Sequence, residues 1–228
     1  MENKKNGIIV FLVLGVVFCL FLVSLGKGIK ILNAQKQPRN LDISTGIGVA
    51  DDEYIKTNVK MSTPEYCTYI HTLARRIPIP IGKEHYFLIM SDDLSTCISI
   101  RADENWASKF ENGESIDKNG VPIEGYVKEL DDKVQTKLST VKSEYEKKNL
   151  NIDVKSYLCI DLFAVNYAKK LVIASIVALI VVIWFIFDFK KNGLLYTEKS
   201  AVAKIVTSIA SCILLVAIIF IISSAQML

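Results

Sequence analysis

Three long apolar runs without a charged side chain constrain this chain more than any other feature. They cover residues 7–25, 171–187 and 205–222, which is 17 to 19 residues each. At a rise of about 1.5 Å per residue, helices of this length approach the hydrocarbon thickness of a bilayer, about 30 Å. The overall hydrophobic fraction of 51% is also high for a soluble protein. We therefore predict three membrane-spanning helices.

The first run has an alternative interpretation as a cleavable secretory signal. Lys4 and Lys5 precede it, and Ser-Leu-Gly at residues 24–26 loosely fits a cleavage site. However, the apolar core of a signal is usually about 7 to 15 residues long, which is shorter than this run. We favour an uncleaved anchor.

The flanking charges predict how the chain crosses the membrane. Residues 26–170 carry 21 Lys and Arg against 21 Asp and Glu, so the net charge of +3 arises elsewhere. It arises at the N-terminus and in residues 188–204, which together hold six Lys and three acids. Because cytoplasmic loops retain Lys and Arg, these segments are expected inside and the central domain outside. Lys169 and Lys170 oppose this assignment, but long translocated domains are largely exempt from the charge bias.

These observations divide the chain into eight predicted segments. The central one is expected to be an α+β domain with an antiparallel or mixed sheet and about three helices. The segments are a cytoplasmic N-terminus 1–6, span 7–25, linker 26–40, extracytoplasmic domain 41–160, juxtamembrane and spanning helix 161–188, cytoplasmic loop 189–204, span 205–222 and outer tail 223–228.

Local patterns predict the elements of the domain. Alternating apolar residues predict a strand at 54–61. A continuous apolar run at 85–90, a turn and an alternating run at 96–102 predict an antiparallel hairpin whose first strand is the more buried, and further strands are expected at 121–130 and 150–160. Ser62, followed by Pro64 and Glu65, resembles a helix start and predicts a helix over 62–77. Asp103 is expected to cap a short helix bearing Trp106 and Phe110.

The clearest amphipathic helix is predicted over residues 132–148, opened by Asp131 or Asp132. Its apolar stripe is expected to pack on the sheet and consists of Val134, Leu138, Val141 and Tyr145. Residues 161–191 contain neither Gly nor Pro, so the second spanning helix is expected to begin before its apolar run.

Small residues recur every four positions in the second and third spans. They are Ala174 and Ala178 in the second span and Ala203, Thr207 and Ser211 in the third. This spacing favours close contact between the two helices. The apolar runs themselves carry no ionisable residue of the kind that marks an ion path, which argues against transport.

The residues that could carry chemistry are few. Cys67 and His71, with Glu65 nearby, have the best metal-like spacing, but a tetrahedral zinc site needs three or four ligands and the only other histidine is His85. Neither histidine lies beside a recognisable nucleophile motif. We predict no catalytic residue, no cofactor and no metal site.

Three pairs of acids could suggest carboxylate chemistry or a hard cation. The pairs are Asp51 with Asp52, Asp92 with Asp93, and Asp131 with Asp132. All are expected at turns or helix starts, where Asp is favoured for local hydrogen bonds.

Cysteine usage leaves the redox state of the domain open. Cys19 and Cys212 lie within predicted spans, whereas Cys67, Cys97 and Cys159 fall in the domain. The spacing selects no pair, so one disulfide with a free thiol and three reduced thiols are both compatible with the sequence.

The expected function follows mainly from what these residues exclude. A domain with balanced charge gives no reason to propose nucleic acid as a partner. We expect a membrane-anchored, non-enzymatic scaffold, binding or assembly protein that presents its outer domain to a cell-envelope or protein partner. The alternatives are an accessory subunit of a transporter or channel, and a membrane-bound hydrolase without a recognisable motif.

Overall fold

The computed structural model describes residues 2–44, 46–72, 80–110, 120–192 and 200–228. Within these ranges the chain forms five helices and one seven-stranded mixed sheet, so a mixed α and β fold is confirmed. The helices are α1 Glu2–Lys36, α2 Glu104–Phe110, α3 Asp132–Lys147, α4 Ala164–Asn192 and α5 Ala201–Met227. The strands are β1 Arg39–Asn40, β2 Tyr54–Val59, β3 Cys67–Thr72, β4 Pro80–Met90, β5 Thr96–Ala102, β6 Val121–Glu129 and β7 Asp153–Asp161. Contacts divide the chain into two compact units, residues 31–166 and residues 1–30 with 167–226.

The sheet has the strand order β1-β2-β6-β7-β5-β4-β3. The pairs β1 with β2 and β5 with β7 are parallel, and the other four pairs are antiparallel. A parallel pair needs a long connection, and α2, β6 and α3 supply it between β5 and β7. The edge strand β1 has only two residues, so it covers only the beginning of β2.

Successive strand residues point to opposite faces of the sheet. Both faces are covered. One face packs against α2 and the segment 41–49, and its core includes Leu41, Ile43, Ile55, Phe87, Ile98, Ile100, Phe110 and Ile160. The other packs against α3, and its core includes Tyr86, Leu88, Cys97, Val134, Leu138, Val154 and Cys159.

Several sequence predictions are confirmed in this domain. β4 and β5 form the antiparallel hairpin, and the α2 backbone at Trp106 donates to the predicted cap Asp103, with a distance of 3.0 Å between Nα and Oδ1. Asp131 caps α3 by accepting from the Lys133 amide at 2.9 Å. Val134 and Leu138 are completely buried, so the amphipathic stripe packs on the sheet as expected.

The prediction that β4 is more buried than its partner is wrong. All seven residues of β5 are buried, because β5 lies between β7 and β4 and both of its faces are covered. The alternation of Ser99 and Arg101 with isoleucines is therefore not a solvent pattern. The isoleucines point to the face covered by α2, whereas Ser99 and Arg101 point to the face covered by α3, and both faces are buried.

The helix predicted over residues 62–77 is also wrong as far as the structure describes it. Residues 67–72 form β3, which pairs antiparallel with β4, and residues 73–79 lie outside the described ranges. The helical interpretation required Ile70 to face the core, but its side chain is 56% exposed. Thr68, Ile70 and Thr72 are β-branched, and they suit a strand that completes the sheet beside β4.

Residues 26–40 do not form the expected linker. Helix α1 continues through Lys36, and β1 follows at once. Pro38 lies just beyond the helix end, where proline normally stops a helix.

Gly26 and Gly28 lower helix propensity, but Gly28 has a packing role. A Cβ at Gly28 would lie 2.7 Å from Val172 Cγ2 and 3.1 Å from the Ala168 carbonyl oxygen, so only glycine allows α1 and α4 to approach this closely.

The other unit is built from α1, α4 and α5. Its core includes Phe21 of α1, Leu171, Ala174, Ala178 and Val182 of α4, and Ala217 and Ile221 of α5. The predicted small-residue contact holds for α4, because Ala174 and Ala178 are buried. On α5 it is wrong for Ser211, which is exposed and donates its hydroxyl to the Thr207 carbonyl at 2.8 Å.

Three helices are long and apolar enough to cross a membrane by length and composition, over Leu12–Lys36, Ala164–Lys190 and Ala201–Ser224. Helix α4 begins at Ala164, seven residues before its apolar run, as predicted. Asp188 follows that run directly and is 8% exposed. Residues 193–199 of the predicted cytoplasmic loop lie outside the described ranges.

Candidate functional site

An open cleft lies along the outer edge of β2, and we call it the β2 cleft. Its volume is about 660 Å³. The chain at residues 40–44 forms one side, and residues 56–60 form the other. Trp106 of α2, Asp92 of the β4–β5 turn and residues 122–124 of β6 complete the lining.

The cleft exists because the chain leaves β2 soon after pairing with it. The Leu41 amide donates to the Lys56 carbonyl at 2.8 Å, which is the last backbone hydrogen bond on this side of β2 among the described residues. The Ile43 carbonyl then accepts from the Asp92 amide at 2.9 Å, so the chain crosses over the sheet face instead. Leu41 and Ile43 are buried there, and this burial fixes the crossing.

The backbone of Asn58 faces the cleft. Asn58 lies opposite Pro122 of β6, and proline has no N–H with which to form a paired hydrogen bond. The Lys56 carbonyl points away from β6 towards Leu41, and backbone groups two residues apart point to the same side of a strand. Asn58 therefore presents both its N–H and its C=O to the cleft, and no backbone partner is found for them in the described ranges.

The charged side chains around the cleft largely balance one another. Lys60 Nζ lies 2.5 Å from Asp92 Oδ2, and Lys56 Nζ lies 3.1 Å from Glu124 Oε2. Asp42 adds one carboxylate, and hydrogen bonds from the Ser44 backbone lower its pKa. Such a rim offers alternating polar contacts rather than a strong field of one sign, which suits a polypeptide segment better than a polyphosphate.

A buried ion network lies elsewhere in the domain, on the α3 face of the sheet. Arg101 donates to Glu84, and its Nη1 lies 2.5 Å from Asp161 Oδ2. The same Asp161 oxygen lies 3.1 Å from Lys128 Nζ, so two cations and two carboxylates balance. The side chains of Glu84, Arg101 and Asp161 are at most 2% exposed.

The environment of Arg101 fixes its charge. Burial alone lowers the pKa of a guanidinium, but the carboxylates of Asp161 and Glu84 more than offset this and hold the pKa of Arg101 above its ordinary value. The guanidinium carbon also lies 4.5 Å from the centroid of the Phe163 ring. The network joins β4, β5, β6 and β7, and we assign it a structural role because its guanidinium and both of its carboxylates are buried.

A second polar pair in the domain joins the partly exposed Glu65 to the buried His85. His85 Nδ1 lies 3.1 Å from Glu65 Oε1, which also accepts from the Thr68 hydroxyl. His85 is 5% exposed, and its Nε2 has no hydrogen-bond partner among the described residues. A carboxylate that orients an imidazole is part of many catalytic sites, but such a base must reach a substrate. The His85 imidazole is closed off from a substrate by burial.

The remaining candidate residues from the sequence do not form a site in the described ranges. Cys67 and His71 lie on β3, four positions apart, and in the described ranges no cluster of three or more metal-ligating side chains occurs. The acid pairs lie at turns or a helix start. Tyr126 donates to Asp52 at 2.5 Å, Asp93 accepts from the Ser95 amide at 3.0 Å, and Asp131 caps α3.

All five cysteines are free thiols in this structure. Burial raises the pKa of Cys97 and of Cys159 to about 12, so neither is a reactive thiolate near neutral pH. Burial also raises the pKa of Cys67, which is half-buried. The thiols of the domain therefore behave as packing groups.

Local sequence patterns do not identify the residues that matter most in these sites. Asn58 is only one position of the predicted strand 54–61, and no pattern connects Glu84, Arg101, Lys128 and Asp161. A charge within an otherwise apolar strand was the available indication for Glu84 and Arg101. The pairing partners are 17 and 60 residues from Arg101, and no local spacing reveals them.

Comparisons of this chain with protein-family models, curated proteins and solved structures found no match.

Proposed function

We propose that this chain is a membrane-anchored, non-enzymatic binding protein whose outer domain captures an extended polypeptide segment in the β2 cleft. The observation that carries the proposal is the backbone of Asn58, which faces an open groove and has no backbone partner among the described residues. Extended peptides bind such edges by adding a strand, in which main-chain hydrogen bonds give affinity and neighbouring pockets select side chains.

The surroundings of Asn58 favour this mode of binding. The part of β2 beyond its pairing with β1 runs from Thr57 to Val59, which is about 10 Å at roughly 3.3 Å per strand residue and fits a short peptide segment. Trp106 is partly exposed at the cleft and can contact a partner side chain, and Lys109 Nζ lies 4.0 Å from the centroid of its ring. The flanking Lys56 and Lys60 discourage indiscriminate pairing of exposed edges, which is a common use of edge lysines.

The membrane part of the proposal rests on α1, α4 and α5. Their length, composition and exposed apolar side chains suit hydrocarbon, and the Lys distribution supports an inward N-terminus with the domain outside. An anchored domain of this kind would hold its partner at the outer surface of the membrane.

The proposal is tested by separating the backbone of Asn58 from its side chain. Asn58→Pro removes the N–H that faces the cleft but leaves the ladder with β6 intact, because that N–H does not point to β6. Asn58→Ala retains the N–H. A photo-cross-linking residue at Lys60 of the full chain, in its native membrane, should capture a partner with Asn58→Ala and lose it with Asn58→Pro.

A cross-linker at Lys142, on the exposed side of α3, is the matched control and should capture little. Equal capture from Lys60 and Lys142, or undiminished capture in Asn58→Pro, would contradict the proposed site. The identity of the captured chain also separates the two anchored roles. A transporter or channel core would assign the chain as its accessory subunit.

A further inference from the structure

A narrow apolar groove runs between α4 and α5. Its volume is about 460 Å³. Ala174 and Ala217 form its floor and are 9% and 5% exposed. Larger and more exposed side chains form its walls, namely Ile173, Val177, Ile213, Val216 and Phe220. Small residues between branched or aromatic ones thus leave a channel that follows the helices.

The shape of this groove suits a linear hydrocarbon. Its lining extends from Lys170 to Val177 on α4, about 10 Å at 1.5 Å per residue, and from Cys212 to Phe220 on α5, about 12 Å. The lining carries a single charged side chain, which is Lys170 at one end. Lys170 Nζ lies 5.2 Å from the centroid of the Tyr167 ring, and both residue types are typical of the headgroup level of a membrane.

We propose that this groove binds one acyl chain of an anionic phospholipid, with the lipid phosphate at the ammonium group of Lys170. The inference rests on the membrane insertion proposed above. Charge complementarity selects this occupant, because Lys170 gains a phosphate partner at the end of an otherwise apolar channel. A transmembrane helix of a partner would bury Lys170 against apolar side chains without offering it an anion.

The test uses the purified full chain in mild detergent and two lipids with identical acyl chains. Phosphatidylglycerol or phosphatidylcholine is titrated in, and bound lipid is counted by native mass spectrometry. We expect one retained phosphatidylglycerol and about fivefold weaker retention in Lys170→Gln, the effect of losing one lysine contact to an anionic headgroup. Lys169→Gln is the matched control, because Lys169 is exposed but does not line the groove.

A second pair of variants tests the apolar part of the site. Val216→Trp places a bulky ring in the groove and should abolish retention, whereas Leu215→Trp, which lies outside it, should not. Equal retention of both lipids, equal loss in Lys169→Gln and Lys170→Gln, or a dimer that Val216→Trp dissociates would overturn the proposal. Release of the chain from membranes by alkaline carbonate would instead refute membrane insertion, so the two failures are distinguishable.

Discussion

The two compact units of this chain treat apolar residues in opposite ways. In residues 31–166 the large aliphatic side chains are mostly hidden, and Ile55, Ile98 and Leu138 have no exposed surface. On the helices of the other unit, Val23, Ile180 and Val202 expose 72%, 61% and 71% of their surface. A surface of the first kind suits water, and one of the second kind is compatible with hydrocarbon.

Charge follows the same division. The sheet domain buries Glu84, Arg101 and Asp161, but every charge in this network has a partner of opposite sign. The exposed faces of the apolar helix runs carry no charge at all. The two units therefore differ in the surroundings that suit them, and the following substitutions test whether the helical unit faces hydrocarbon, as we propose, and the sheet domain faces water.

The largest effect is expected from breaking the buried ion network. Arg101→Met leaves Glu84 buried without its cation and Asp161 with Lys128 alone, which should lower the free energy of unfolding by about 3 to 5 kcal/mol. Urea unfolding of the detergent-solubilised chain, followed by Trp106 fluorescence in a Trp184→Phe background, measures it.

The control for this change is a surface ion pair in the same domain. Arg39 Nη2 lies 2.6 Å from Glu53 Oε2, and both side chains are substantially exposed. Arg39→Met should therefore cost less than about 1 kcal/mol. A similar loss of unfolding free energy in Arg101→Met and Arg39→Met would mean that burial does not determine how strongly an ion pair stabilises the domain.

The second effect concerns apolar burial. Leu138→Ala deletes a completely buried side chain from the α3 face and should cost about 2 to 5 kcal/mol. Ile180→Ala removes an exposed side chain from α4 and should leave the stability of the domain unchanged. The same fluorescence assay compares them, and an unaffected Leu138→Ala variant would contradict the packing of α3 on the sheet.

The third effect distinguishes hydrocarbon from water at the exposed helix surface. Ile180→Arg should reduce membrane insertion by about 2.5 to 3.5 kcal/mol if this position faces lipid. The fraction of chain that resists alkaline carbonate extraction measures insertion. Lys142→Leu, an apolar change on the exposed side of α3, serves as the reverse control and should not alter that fraction. Normal insertion of Ile180→Arg would assign this surface to water.

The smallest effect is expected at the two glycines of α1. Gly28→Ala forces its Cβ against Val172 and should destabilise the helical unit by about 1 to 3 kcal/mol. Gly26→Ala meets no atom within 4 Å and should be neutral or stabilising by up to about 1 kcal/mol. Thermal loss of helical circular dichroism in detergent compares the two variants, and equal midpoints would contradict the close approach of α1 and α4.

The parts of the fold that local chemistry determines could be predicted from the sequence. The cap Asp131 and the stripe beginning at Val134 identify α3, and alternation identifies β2. β3 was predicted as a helix because Ser62, Pro64 and Glu65 imitate a cap, while the pairing that decides its conformation comes from β4. Local patterns do not contain the geometry of a distant strand.

The candidate site was less predictable for the same reason. The backbone of Asn58 is exposed because β1 ends after two residues and does not extend along β2 to this position. This is not visible until the strands are paired. The apolar runs, by contrast, depend on composition alone, and each of the three long helices contains its predicted run, although α1 continues 11 residues beyond residue 25.

The most direct test of the central claim is the accessibility of single cysteines in intact cells. The background replaces Cys19, Cys67 and Cys212 with alanine and retains the buried Cys97 and Cys159. With an impermeant thiol reagent, Lys36→Cys and Lys142→Cys should react, whereas Ala201→Cys should react only after the membrane is permeabilised. Labelling of Ala201→Cys but not of Lys142→Cys in intact cells would reverse the topology. Equal labelling of all three variants in intact cells would contradict the membrane anchor itself.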